Sequence, residues 1–182
     1  MTRILIPYGT REGQTAKIAE YVADVIHGHG HDATALAIKE VRDVDLDCDG
    51  VIVGASIHMG KHEDYVGDFV RKNRDTLERL PSALFSVSLA AHGDTEEAES
   101  YVEAFEQETG WRPAIVALFG GALLYTQYGF VKRRVMKKIA RDKGNLGTDT
   151  SRDYVYTEWD GVKRFVEDFL AGLAPADQGT TS

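Results

Sequence analysis

A chain of 182 residues with an apolar fraction of 43% and a charged fraction of 27% fits one well-buried globular domain and excludes wholesale disorder. Its formal net charge of −8 works against general nucleic-acid binding, because a phosphate polymer would be repelled over most of the surface. The single cysteine, Cys48, excludes an intramolecular disulfide and a cysteine-bound metal cluster, and suits a reducing compartment.

The first predicted element is a strand near residues 3–7, which leads through YGTREGQT into an amphipathic helix over 14–28. A turn rich in donors that opens a helix can hold a phosphate. The first N–H groups of the helix lack partners and carry the positive end of its dipole, Thr10 and Thr15 add hydroxyls, and Gly13 allows close backbone approach. The plainer reading is that Thr15 caps a helix and Gly13 turns the chain. The loop is neither GxxxxGK[ST] nor GxGxxG, so ATP hydrolysis and nicotinamide-dependent dehydrogenation lose support. HGHGHD follows, with His27, His29 and His31 at alternate positions; the glycines between them fit a helix end turning into a strand better than a metal site, and no metal is predicted.

A strand is predicted at 33–38, then the short acidic crossover KEVRDVDLDCD with room for only a short helix, then a strand at 50–55 that opens into SIHMGKH. A helix at 63–79 leads to a strand at 83–89, the loop AAHGDT and a helix at 96–108. PAIVALFGGALLY at 113–125 is too short to span a bilayer and reads as a buried strand, 114–119, with its exit. Residues 130–143, FVKRRVMKKIARDK, carry +6 while the remainder of the chain carries −14. Val131, Val135 and Ile139 recur every four residues against Lys132, Arg133, Lys137 and Lys138. This segment is either a solvated helix whose stripe packs on the domain, an interfacial helix on an anionic membrane, or a cationic rim for a carboxylate-bearing substrate. It is expected to lie outside the cofactor loops. A helix at 158–172 closes the domain, 1–173, and the small polar tail 174–182 is expected to be disordered. With no secretory pattern at its start, the chain is expected in the cytoplasm, or peripheral on the inner face of the cell membrane.

Strand and helix in alternation predict a parallel sheet covered on both faces, with ligands at the carboxyl ends of the strands. Three loops lie there: GTREGQT, SIHMGKH and AAHGDT. No GxSxG elbow or HExxH helix occurs, which is consistent with redox chemistry supplied by a cofactor, a use that needs no catalytic triad. No catalytic side chain is singled out; His58 and His92 are candidates for bonding to a ring or moving protons.

The loop GTREGQT, the pair GVIVGASIHMG, the strand FSVSLAA, and the later WRP, GGALLY and GTDTSRDYVYTEWD resemble flavodoxin-like proteins, specifically the menaquinone-dependent protoporphyrinogen IX dehydrogenases, over roughly residues 3–170. The resemblance implies a flavodoxin-like doubly wound five-stranded sheet of order 2-1-3-4-5, with a basic helical insertion before the last helix. It implies noncovalent FMN, its phosphate held by Thr10, Arg11, Glu12, Gly13, Gln14 and Thr15, mainly through backbone N–H groups and hydroxyls. The isoalloxazine would be flanked by Ala55, Ser56, Ile57, His58, Met59 and Gly60, and by Ser88, Leu89, Ala90, Ala91, His92 and Gly93. Met59 stands where the family pattern tends to have tyrosine, and AAHGD replaces a more basic stretch. The implied activity is six-electron oxidation of protoporphyrinogen IX to protoporphyrin IX in heme biosynthesis, with menaquinone or another quinone as acceptor. An electron-carrier flavodoxin and a flavin-dependent NAD(P)H:quinone reductase are the alternatives.

Overall fold

The computed structural model describes residues 1–40 and 47–173. The expected tail, 174–182, and the centre of the acidic crossover, 41–46, lie outside the described residues. The elements run β1 (Arg3–Gly9), α1 (Gln14–Gly28), β2 (Asp32–Ala37), β3 (Gly50–His58), β4 (Lys61–His62), α2 (Asp64–Arg79), β5 (Ser82–Ser88), α3 (Thr95–Thr109), β6 (Ile115–Gly120), β7 (Ala122–Leu123), α4 (Phe130–Lys143), β8 (Tyr154–Val155) and α5 (Trp159–Leu173). The five long strands pair in parallel in the order β2-β1-β3-β5-β6, which is the expected 2-1-3-4-5 once the short β4 is set aside.

Alternation along the central strands divides the core. Ile4, Ile6, Ile52 and Phe85 face α1 and α5, where they meet Ile18, Val22, Phe165 and Phe169. Val51, Val53 and Leu84 face α2 and α3, where they meet Val66, Val70, Phe105 and the fully buried Trp111 of the WRP motif. Each face buries its strands against a pair of helices, which is why the central strands read as continuous apolar runs. Gly54 is needed in β3, because a Cβ there would come within 2.2 Å of the Phe85 ring.

Two expectations need correction. The strand expected at 114–119 forms, with its exit after it, but it is not a buried strand. It is β6, an edge strand pairing with β5 alone, and of β6 only Phe119 is buried among the described residues. The exit leaves the sheet: β7 pairs with β8, and Leu123, Leu124 and Tyr125 form a separate core with Tyr128, Ala140 and Leu146. The stripe on α4 does not pack on the domain either. Phe130, Val131, Val135 and Ile139 are 71%, 73%, 51% and 37% exposed, and the helix buries only Ala140 among the described residues. Polar ties hold its inner face instead: Arg133 donates to the backbone oxygens of Tyr125 and Tyr128, each at 3.2 Å. His27 and His29 bond the backbone oxygens of Ala33 and Val25, at 3.0 and 2.8 Å, around the end of α1. No helix among the described residues is long and apolar enough to cross a membrane.

Candidate functional site

Parallel pairing aligns the carboxyl ends of β1, β3 and β5, with Gly9 beside Ala55 and Ser56 beside Val87, so the three predicted loops share one edge of the sheet. In the first loop Gly13 is left-handed, with φ of 96°, and a Cβ there would meet nothing within 4 Å, so the loop stands open on that side. Thr10 Oγ1 accepts from the Gly13 N–H at 3.0 Å and keeps its own proton to donate. No side chain caps α1 and no acidic residue sits in its first turn, leaving that helix start suited to an anion. Gln14 and Thr15 are buried. The Gln14 amide turns inward and donates to Thr157 Oγ1 at 2.9 Å, whose hydroxyl donates to the Gly120 oxygen at 2.7 Å, so Gln14 offers the cradle its backbone rather than its side chain.

In the second loop Ala55 is fully buried in β3, and the buried Ser56 hydroxyl has no partner among the described residues. Ile57 and His58 pair with His62 and Lys61 of β4, so Met59 and Gly60 form the two-residue tip of a hairpin. Both have positive φ, 51° and 78°, the geometry of a type I′ turn. Met59 is exposed and is the one non-glycine residue with positive φ among the described residues. Below the tip, buried His62 bonds Ser86 Oγ at 2.9 Å and its ring lies 4.9 Å from that of Phe105; burial pulls its imidazole pKa down to about 4.

Arg11 joins the first two loops. Its guanidinium contacts His58 Nε2, and its Nε lies 3.2 Å from Glu63 Oε1. Tyr65 adds a long hydrogen bond to the Thr10 oxygen at 3.4 Å. In the third loop Ser88 Oγ accepts from the Ala91 N–H at 3.1 Å, Leu89 accepts from the His92 N–H at 3.1 Å, Ala90 is buried and Gly93 is left-handed at φ 99°. The His92 ring stacks on Tyr156 at 4.4 Å.

The residues between β6 and α5 grip these loops from outside. Tyr128 donates to Glu12 Oε2 at 2.9 Å, and Lys132 pairs with the other oxygen at 2.5 Å. At the far end of α4, Lys143 pairs with Glu97 of α3 and Asn145 donates to the His92 oxygen. The Lys143 hydrogen bond holds the Glu97 carboxyl below its usual pKa. The expectation that α4 lies outside the three loops is therefore wrong: it contacts the first through Lys132, and the residue Asn145 just beyond it reaches the third. The four cations predicted to act together also divide. Lys132 and Arg133 tie the helix to the domain, while Lys137 and Lys138 join Arg134 and Arg141 along an outer groove of about 740 Å³ with Phe130, Val135 and Thr150, which Arg133 also lines. Sequence reading missed Tyr128, Tyr156 and Thr157. Tyr156 and Thr157 were signalled only by the density of hydroxyl-bearing residues in GTDTSRDYVYTEWD, and Tyr128, just beyond GGALLY, by nothing.

An uncapped helix start beside a left-handed glycine, an unpartnered buried hydroxyl at Ser56 and a hairpin tip at the adjoining loop fit a flavin mononucleotide, whose phosphate and polar ring edge need such donors. Residues 5–150 match the flavodoxin domain family. Over 170 residues the chain is 34% identical to the protoporphyrinogen IX dehydrogenase (quinone) of Escherichia coli strain K12, covering 91% of this chain and 93% of that protein. Over 178 residues it is 32% identical to the Leishmania major protein of the same name, covering 93% of this chain and 75% of that one. Flavodoxin 1 of Bacillus cereus superposes with a TM-score of 0.58 at 16% identity, over 95% of this chain and all of the other; at that identity the likeness is one of fold.

Proposed function

Since the chain belongs to the flavodoxin domain family and to the quinone-dependent protoporphyrinogen IX dehydrogenases within it, we propose that its three-loop site passes electrons from protoporphyrinogen IX through FMN to a quinone. The enzyme is a flavoprotein oxidoreductase of heme biosynthesis. The substrate gives up six electrons and six protons to become protoporphyrin IX, which three quinones take up as three quinols. FMN supplies the redox centre able to accept a pair of electrons from the substrate and return it to the quinone. The chain would bind and orient that centre: the start of α1 and Thr10 would hold the phosphate, and the loops at Ser56–Gly60 and Ser88–Gly93 would flank the ring. Arg11 donates to His58, which fixes the orientation of that imidazole beside the ring site.

The observation that carries the substrate assignment is the extent of the identity. A match over 91% of the chain is too long to leave out the segment between β6 and α5, which bridges the cofactor loops here. The outer face of α4 supports a finer assignment, a peripheral position on the cytoplasmic face of an anionic membrane, where a lipid-soluble quinone is met. Valines and Phe130 stand exposed among Arg134, Lys138 and Arg141, the mixture that suits an interface of apolar chains beneath charged headgroups. The purified protein reconstituted with FMN is expected to convert protoporphyrinogen IX to its fluorescent product when a menaquinone analogue is present, and to show no comparable turnover with NADPH as donor. NADPH oxidation without porphyrin formation would replace this reading by a nicotinamide-dependent quinone reductase.

A further inference from the structure

The first cofactor loop carries a carboxylate beside the place suited to an anion. Glu12 immediately precedes the left-handed Gly13 and the uncapped start of α1. A carboxylate free to swing there would repel a phosphate, and in a partly buried site that repulsion is poorly screened. The neighbouring cation does not relieve it, because Arg11 is engaged with His58 and Glu63. Relief comes from the insertion. Both Glu12 oxygens are taken, one by the Tyr128 hydroxyl at 2.9 Å and one by Lys132 Nζ at 2.5 Å.

The holding group is itself well fixed. Tyr128 is buried, accepts from the Leu124 N–H at 3.1 Å through the same hydroxyl, and packs edge-on against Tyr125 with ring centroids 6.0 Å apart. Lys132 Nζ lies 4.7 Å from the Tyr128 ring centroid, so the cation is positioned by the ring as well as by the carboxylate. Burial and the Glu12 carboxylate both push the Tyr128 phenol pKa upward, which keeps it a donor. Arg133 fastens the helix carrying Lys132 to the backbone of Tyr125 and Tyr128.

We propose that Tyr128 and Lys132 clamp the Glu12 carboxylate against the insertion and away from the phosphate cradle, so that docking of α4 sets the affinity of the first loop for the phosphate of FMN. The proposal rests on the FMN reading above. It makes α4 a positioning element for the cofactor, acting through Glu12 rather than by touching the ligand.

The test is a double-mutant cycle on apoprotein, titrating FMN and riboflavin by quenching of flavin fluorescence, with circular dichroism confirming that each variant is folded. Tyr128→Phe with Lys132→Met is expected to weaken FMN by about tenfold or more, near 1.4 kcal/mol, because the released carboxylate faces the phosphate. Riboflavin, which lacks the phosphate, is expected to bind within about twofold of the parent. In a Glu12→Gln background the same two substitutions should change FMN affinity by less than about threefold, since no charge remains to be released. An equal FMN loss in both backgrounds overturns the clamp and makes Lys132 a direct phosphate contact. Equal loss of FMN and riboflavin, or no loss at all, also overturns it. Failure of the parent apoprotein to bind FMN would strike the cofactor reading itself, and is seen separately from the variants.

Discussion

Helices α1 and α4 are nearly equal in length, 15 and 14 residues, and both border the proposed cofactor site, yet they are held by opposite means. Helix α1 buries Ile18, Ala19, Val22, Ala23 and Ile26 along one face, and that apolar contact fixes where its first turn points. Helix α4 buries Ala140 alone among the described residues and hangs on Lys132, Arg133 and Lys143. Burial is nondirectional and strong, so it suits the element that must be in place before the ligand arrives. Charged hydrogen bonds to exposed partners are weaker and specific, so they suit an element whose placement is to be adjustable.

The sharpest way to break this contrast is to truncate one residue on each helix. Ile18→Ala is expected to cost about 2–5 kcal/mol of unfolding free energy, while Val135→Ala should stay within about 0.5 kcal/mol. Urea denaturation at one fixed FMN concentration measures both, since bound cofactor adds to apparent stability. A cost at Val135 comparable with that at Ile18 would mean that the outer face of α4 is covered in solution.

Acid provides a second, slightly smaller test on the apolar side of the molecule. His62 titrates near 6.5 when unfolded and about 4 when folded, so between those values the unfolded chain binds more protons. Its contribution is complete above pH 6.5 and is lost as the pH falls toward 4, amounting to about 3 kcal/mol. His62→Gln, which can still reach Ser86, is expected to flatten the stability profile across that window, as read from denaturation midpoints at pH 7 and pH 4.5. An unchanged slope would assign the acid sensitivity to other groups.

The smallest stability effect belongs to the outer groove. Changing Arg134, Lys137, Lys138 and Arg141 to Gln should leave unfolding within about 0.5 kcal/mol of the parent, yet abolish co-sedimentation with anionic vesicles, at about 1 kcal/mol per cation removed. Substitution of Lys132 and Arg133 should instead disturb the first loop. Vesicle binding that survives the fourfold change would remove the membrane from the proposed function.

The same contrast explains what the sequence disclosed. Periodicity placed all five long strands and all five long helices within a few residues, because all but α4 and the edge strands β2 and β6 bury a regular face. The three loops followed from the rule that parallel strands gather their carboxyl ends. The partners of the first loop did not follow, since Glu12 meets residues from 116 and 120 positions away through polar contacts that carry no periodic signal. The stripe Val131, Val135, Ile139 misled for a related reason: spacing reveals that three residues share a face, while what lies opposite that face depends on the fold. Met59 shows the limit for backbone geometry, because the positive φ at a hairpin tip is read from glycine or asparagine and methionine gives no warning.

The bond from Gln14 to Thr157 joins residues 143 positions apart. A chain made from its amino end presents the β1–α1 segment first, long before Tyr128, Lys132 or Thr157 exists to complete it. The first loop is therefore synthesised well before the residues that finish it. Contacts of such sequence separation close large loops and form late in folding. Cofactor capture thus becomes a closing event in the life of the nascent chain, and a chain released before Thr157 carries the loop without the parts that seal it.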